Sequence, residues 1–176
     1  APGALLRGGE GGFGGGWAVF VSFGGELGSV LAMGAEADPG YQVLVLNTGR
    51  DFPETLAYRR DLAAILGLKN VIDLEPNPAS IAKADPTGEL WAFDPDSCCA
   101  VRKVEPLKLA ELDYDVMVTG RKRGQAATRA AMDIVERRDD GQIRINPLAY
   151  WTAQDIQAEM ERRGLPPHPL VGEGYL

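Results

Sequence analysis

The chain has 176 residues, and 18 lysines and arginines against 25 aspartates and glutamates leave a net charge of −7. That length buries one sizeable core rather than two, and the acidic balance excludes a surface built to grip nucleic acid or an anionic membrane, so any anion site must be local. No charged segment leads into an apolar stretch and no apolar run approaches twenty residues; neither a signal peptide nor a membrane span is read, and a cytoplasmic protein is expected.

Thirteen of the 22 glycines fall in the first forty residues. Residues 1–16 are read as a glycine-rich lead-in, expected to be flexible because glycine is costly to order and few apolar side chains accompany it. Residues 17–176 are read as the domain. Residues 17–21 form an apolar strand, Ser22-Phe23-Gly24-Gly25 a tight turn, and residues 26–37 a helix. Residues 43–46 are a short apolar run suited to a parallel strand buried on both faces. Pro53 opens a helix over 53–66, and Gly67 stops it. Residues 71–74 are a third strand, 77–99 a loop-rich stretch, 106–112 a helix, and 116–119 a strand closed by Gly120. A helix over 125–136 and a brief strand over 143–145 follow. The last element is a helix over 152–163, with Thr152 as N-cap and Asp155 three residues on. Strands alternating with helices imply an α/β fold with a doubly wound, mostly parallel sheet.

Ligands of such sheets bind beyond the carboxyl ends of the strands, which directs attention to three loops. Ser22-Phe23-Gly24-Gly25-Glu26 offers backbone N–H groups and a hydroxyl at a helix start, where an anion is favoured, although this loop taken alone reads more readily as a plain tight turn. The loop from Asn47 through Thr48, Gly49 and Arg50 to Thr55 adds an amide, hydroxyls and an arginine, or is only turn and capping chemistry. The third, residues 120–129, gathers Arg121, Lys122, Arg123 and Arg129 without an acid. Its position after a strand favours an anion site over a solvated charge run, because arginine forks onto phosphate or sulfate oxygens. A nucleotide-like anion is the leading ligand.

Cys98 and Cys99 are the two cysteines, and a bridge between neighbours is badly strained, so no disulfide framework exists. Following Asp94-Pro95-Asp96-Ser97 in what reads as a loop, with Arg102 and Lys103 behind them, they suggest metal or cluster ligands or a redox pair. Two thiolates do not complete a four-iron site. His168, the single histidine, reads as a loop residue without a functional role.

These residues, in this order, resemble the assimilatory adenylyl-sulfate and phosphoadenylyl-sulfate reductase family, of the adenine-nucleotide α-hydrolase-like, Rossmann-like fold. Ser22-Phe23-Gly24-Gly25-Glu26 resembles its phosphate loop, and Leu46-Asn47-Thr48-Gly49 with Phe52-Pro53-Glu54-Thr55 its LDTG…FPET motif. Cys98-Cys99-Ala100-Val101-Arg102-Lys103-Val104-Glu105-Pro106-Leu107 resembles its CCxxRKxEPL segment. Residues 120–129 resemble its basic GxxRxQxxTR loop, and Asn146-Pro147-Leu148-Ala149 with Trp151-Thr152, then Pro169-Leu170 and Gly174-Tyr175, the run before its second cysteine pair.

The resemblance implies thiol-dependent reduction of adenylyl sulfate (APS) or its 3′-phosphorylated form (PAPS) to sulfite and AMP or PAP, in sulfate assimilation. A tail cysteine attacks the sulfate sulfur, and thioredoxin or a similar thiol reductant releases sulfite from the enzyme thiosulfonate. It further implies a [4Fe-4S] cluster held by Cys98, Cys99 and a later CxxC, a preference for the substrate without the 3′-phosphate, and Lys103 facing both cluster and sulfate. Substrate contacts are implied for Ser22, Gly24, Gly25, Thr48, Gly49, Arg102, Gly120, Arg123, Thr128 and Arg129, and a homo-oligomer is allowed. Two positions depart from the pattern: Leu27 stands for a serine and Asn47 for an aspartate. The sequence ends at Gly174-Tyr175-Leu176, where the family continues into the CxxC and the nucleophile's tail. A polypeptide of these residues alone is therefore expected neither to hold a stable cluster nor to turn over. The alternatives are an ATP-pyrophosphatase-type adenylating enzyme of the same fold, whose SGGxDS loop residues 22–29 do not supply, and a non-catalytic nucleotide-binding module.

Overall fold

A computed structural model of the chain describes residues 16–21, 27–38 and 40–174. The expected lead-in up to residue 15 and the turn at 22–26 lie outside the described residues. Six strands make one sheet: β1 (Gly16–Val21), β2 (Gln42–Leu46), β3 (Asn70–Leu74), β4 (Tyr114–Thr119), β5 (Val135–Arg137) and β6 (Ile143–Ile145). Their order is β3-β2-β1-β4-β6-β5, and all neighbours are parallel except β5 and β6. The order reverses between β1 and β4, as a doubly wound sheet requires.

Alternation along the strands builds two cores. Val19, Val43, Val45, Val116 and Val118 face one side, where α1 (Leu27–Ala37), α2 (Pro53–Leu66) and α7 (Ala153–Arg162) contribute Val30, Met33, Tyr58, Leu62, Ile156 and Met160. Ala18, Leu44, Leu46, Leu74 and Met117 face the other side, against Leu107 and Ala110 of α6 (Glu105–Glu111). Gly28 brings α1 and α7 together, because a Cβ there would lie 2.6 Å from the Met160 sulfur. Gly67 ends α2 at φ 64°, left-handed backbone that glycine adopts without a Cβ clash. Thr152 and Asp155 form the reciprocal capping box that opens α7.

Two expectations are corrected. The stretch 77–99 is not loop-rich but holds α3 (Pro78–Ala84), α4 (Leu90–Phe93) and α5 (Pro95–Cys99). Asn77 and Asp94 cap α3 and α5 by accepting backbone N–H groups, and proline at the first helical position costs nothing because its missing donor would be unpaired there. Cys98 and Cys99 thus sit on a helix that continues into a π-helical turn (Ala100–Val104) and then α6. The helix over 125–136 is replaced by two 3-10 turns (Arg123–Gln125 and Ala127–Arg129) and the antiparallel edge strand β5. The segment is held in this path from outside: the Met132 carbonyl, the last a helix to residue 136 would use, accepts from the Arg123 Nε–H, and the Asp133 and Ile134 carbonyls accept from the Asn146 side chain and backbone.

Candidate functional site

A cavity of about 680 Å³ opens beyond the end of β2. Leu46, Thr48, Arg50, Asp51 and Phe52 line it from the loop between β2 and α2; Trp91, Pro95, Cys98, Cys99, Arg102 and Lys103 line it from α4, α5 and the π turn. The structure therefore brings Thr48, Arg102, Lys103 and both cysteines to one wall-to-wall space. Gly49 lies in the adjoining cleft of about 490 Å³, where Thr48 and Arg102 form the shared partition.

Local hydrogen bonds shape the β2 loop. Asp51 accepts from the Thr48 N–H and hydroxyl, each at 3.1 Å, and the Thr48 hydroxyl accepts from the Arg50 N–H. The Asn47 side chain accepts from the Gly49 N–H and donates to Glu75. An aspartate at position 47 would place two carboxylates together there, which gives the departure at this position a local reason.

Arg102 ties this loop to the cysteine-bearing helix. Its Nη1 donates to the Thr48 carbonyl at 2.9 Å and its Nη2 to Asp85 at 2.7 Å, in a pair buried on both sides. Asp85 also accepts from the Leu90 N–H and lies 3.8 Å from Arg50, whose guanidinium donates to the Gly88 carbonyl. The Arg102 hydrogen bond, with the Leu90 N–H after it, holds the Asp85 carboxyl below the usual aspartate value. The buried Arg102 Nε–H has no partner among the described residues, so one charged donor is unspent. Lys103 is exposed on the same cavity wall and has no hydrogen bond or ion pair among the described residues.

Cys98 is buried and Cys99 exposed, and both reach the cavity. They are two soft thiol donors side by side. No group of three or more His, Cys, Asp or Glu that could hold a metal occurs among the described residues.

The basic loop after β4 is placed elsewhere. Arg121 donates to Glu136 at 2.7 Å and to Asn146, and burial pulls its pKa down. Arg123 donates to the Met132 carbonyl at 2.5 Å and to the Tyr150 hydroxyl, with its guanidinium carbon 4.1 Å from that ring's centre. Asn146, fully buried, is the hub: it accepts from Thr119 and Arg121 and donates to Asp133 and Glu136. Gly120, Arg123, Lys122 and Arg129 do not line the cavity beside Cys98. The Thr128 side chain, like Ser22, Gly24 and Gly25, lies outside the described set.

Sequence reasoning counted Arg50 in the loop after β2 but did not single out Asp85. Asp85 sits in an Asp-Pro-Thr-Gly stretch that reads as a turn. Its burial arises from the packing of α3 against the π turn, which no local pattern announces. His168 is half-buried rather than a bare loop residue. Its Nδ1 accepts from the Leu170 N–H and its Nε2–H faces the Thr55 hydroxyl at 3.1 Å, while its ring meets Tyr58 edge-on. The Tyr58 hydroxyl donates to the Pro166 carbonyl, and burial pushes its pKa up to about 12. Together they fasten the final 3-10 turn (Pro169–Glu173) to α2, the helix that follows the cavity loop. No helix among the described residues is long and apolar enough to cross a membrane.

The family model described as the phosphoadenosine phosphosulfate reductase domain matches residues 16–176. A curated adenosine 5′-phosphosulfate reductase of Mesorhizobium japonicum is 45% identical over 159 residues, 90% of this chain and 62% of that protein. One from a Chelativorans species is 44% identical over 162 residues, 92% of this chain and 66% of that protein. The chain thus spans less than two thirds of the length of these relatives. Among solved structures, a phosphoadenylyl-sulfate reductase from Candida auris in a phosphate complex has a TM-score of 0.78 at 24% identity, covering 100% of this chain and 86% of that one. The U34-tRNA thiolase NcsA from Methanococcus maripaludis, solved with its [4Fe-4S] cluster, has a TM-score of 0.53 at 16% identity, covering 96% and 65%. Both structural likenesses establish the fold.

Proposed function

Since the chain belongs to the phosphoadenosine phosphosulfate reductase domain family, we propose that residues 17–176 are the sulfonucleotide-binding core of a reductase converting adenylyl sulfate, or its 3′-phosphorylated form, to sulfite and AMP or PAP. The observation that carries this reading is the cavity in which Arg50, Arg102 and Lys103 meet the adjacent thiols of Cys98 and Cys99. Cations concentrated on an acidic chain suit one small anion, and the curated relatives carry the name of the activity.

In this reading the nucleotide lies across the strand ends, with Thr48 and Gly49 beside it and the Gly120 and Arg129 loop contributing contacts, and Ser22, Gly24 and Gly25 are assigned to the same ligand by the family motif. Arg123 and Thr128 belong to the same loop. The sulfonate end points at Lys103. Its ammonium donates to the sulfonyl oxygens and stabilises the charge that grows on them as a thiolate attacks the sulfur. The new S–S bond forms as the S–O bond to the nucleotide breaks, and AMP departs. A dithiol donor such as thioredoxin then supplies two electrons and releases sulfite. The attacking thiolate comes from a cysteine outside these 176 residues.

The donor set fits two of the four thiolates of a [4Fe-4S] cluster, Cys98 and Cys99. A cluster bound through them would supply a thiolate-ligated charge centre beside the sulfonate. Arg102, anchored by Asp85, keeps the helix carrying both cysteines in register with the Thr48 loop.

Titration calorimetry with adenylyl sulfate and AMP, run beside a thioredoxin-coupled sulfite assay on the full-length protein, tests the proposal. Saturable binding of both nucleotides and sulfite release are expected. Binding without sulfite would replace the reductase by a nucleotide-binding module, and absence of binding would end the reading.

A further inference from the structure

At the far edge of the sheet β3 has no neighbour on its outer side among the described residues. Four of its five residues are exposed, including Val71 at 36% and Ile72 at 39%. The Asn47 N–H donates to the Leu74 carbonyl, so Leu74, and by alternation Ile72 and Asn70, turn their peptide groups toward β2. The N–H and C=O groups of Val71 and Asp73 therefore point outward, where they form a ready template for another strand.

We propose that this edge is the dimer interface of the protein, with β3 of a second copy adding antiparallel to β3 and the two sheets continuing into one of twelve strands. A two-fold axis through Ile72 sets Ile72 against its symmetry mate, Asn70 against Leu74, and Val71 against Asp73. Every residue of the strand then has a partner, and the outward peptide groups of Val71 and Asp73 meet in hydrogen-bonded pairs. The same register places Lys69 opposite Glu75 at both ends. Lys69 is exposed and has no ion pair, and Glu75 is bonded only to the Asn47 amide among the described residues. A register centred on Val71 would instead direct Lys69 at Asp73, whose carboxylate Arg59 already holds at 2.8 Å.

A five-residue ladder is too small for a stable interface, which buries roughly 1,200–2,000 Å². The flanking elements supply the remainder. α2 crosses one face of β3 through the Arg59–Asp73 pair and exposes Ile65 at 56%. α6 packs on the other face and exposes Leu109, and Leu112 follows it at 81%. The interface lies on the opposite side of β2 from the switch point at β1 and β4, although Glu75 also borders the cleft that holds Gly49.

Sedimentation velocity of the full-length protein across the micromolar range measures the outcome. A dimer is expected, with Ile72→Lys shifting it to monomer while circular dichroism stays unchanged. Lys69→Glu should weaken association about tenfold or more, since attraction becomes repulsion at two symmetric pairs. Adding Glu75→Lys to Lys69→Glu should restore it. Should Ile72→Lys fail to fold, hydrogen exchange on the wild-type chain decides: the Val71 and Asp73 amides should lose protection on dilution. A monomer throughout, a dimer indifferent to the charge swap, or amides protected at every dilution, as they would be under a segment of the same chain, overturns the proposal.

Discussion

Arginines gather at two places along the carboxyl edge of the sheet, and they do different work. In the loop after β4, Arg121 and Arg123 bind Glu136, Asn146, the Met132 carbonyl and Tyr150, so their donors are consumed in shaping the loop. Beside Cys98 and Cys99, Arg102 is buried and Asp85 neutralises it, while Lys103 faces the cavity with no partner among the described residues. The richer cluster in the sequence is thus the more committed one in the fold. Counting cations locates charge but not available charge, because a guanidinium has five donors and the surroundings decide where they go.

Five substitutions, two of them read together with a pH dependence, test this difference. Arg102→Ala should cost the most, about 3–5 kcal/mol of stability, since removing one partner strands the buried Asp85 carboxylate. Chemical denaturation would measure it. The same variant should lose an acid limb: the Asp85 carboxyl is held below 3.8, so its contribution is complete above that pH and disappears as pH falls through the folded value. Asn146→Ala should cost about 2–3 kcal/mol, because four partners lose a fully buried side chain. The damage should appear in protection of the β5 amides before it appears at the cavity.

Lys103→Ala should leave the melting temperature unmoved and weaken adenylyl sulfate binding by about 1.5–3 kcal/mol, the range of a charge-assisted hydrogen bond. Calorimetry showing equal affinity in variant and wild type would take Lys103 out of the site. Arg129→Ala, in the other region, should weaken nucleotide binding by roughly 1–3 kcal/mol. The smallest effect is expected at His168. Burial holds its pKa below 6.5, so the neutral ring's contribution is complete above that value and lost as pH falls through the folded one. Protonation of Nδ1 removes the acceptor for the Leu170 N–H. A melting temperature that declines between pH 7 and 5 in the wild type, and less in His168→Gln, is the expected pattern.

Much of this architecture was legible in local residues. Pro53 and Gly67 bracket α2 as read, and Thr152 with Asp155 announces the capping box of α7. The motif order also places Thr48, Cys98, Cys99, Arg102 and Lys103 in one site, and these do share a cavity. What stayed hidden depends on contacts distant in sequence. Residues 125–136 satisfy helical spacing, yet Arg123 captures the Met132 carbonyl and Asn146 holds the Asp133 and Ile134 carbonyls, which draws the segment onto the sheet edge. Asp85 reads as turn chemistry until α3 packs on the π turn and buries it. In the stretch before Cys98, the prolines that suggest loops instead begin helices.

The π turn between Cys99 and Glu105 acts as a phase shifter in an otherwise α-helical rod. One surplus residue within a turn advances everything on its far side by about 100° relative to an unbroken α-helix. Leu107 and Ala110 are moored in the core under the sheet, so α6 cannot rotate to absorb a change. Deleting one residue from 100–104 would therefore turn the thiols instead, swinging Cys98 and Cys99 away from the wall they share with Lys103. Length in this segment is consequently constrained along with the side chains of Val101, Arg102 and Lys103, and an indel there would uncouple the thiol donors from the cationic ones.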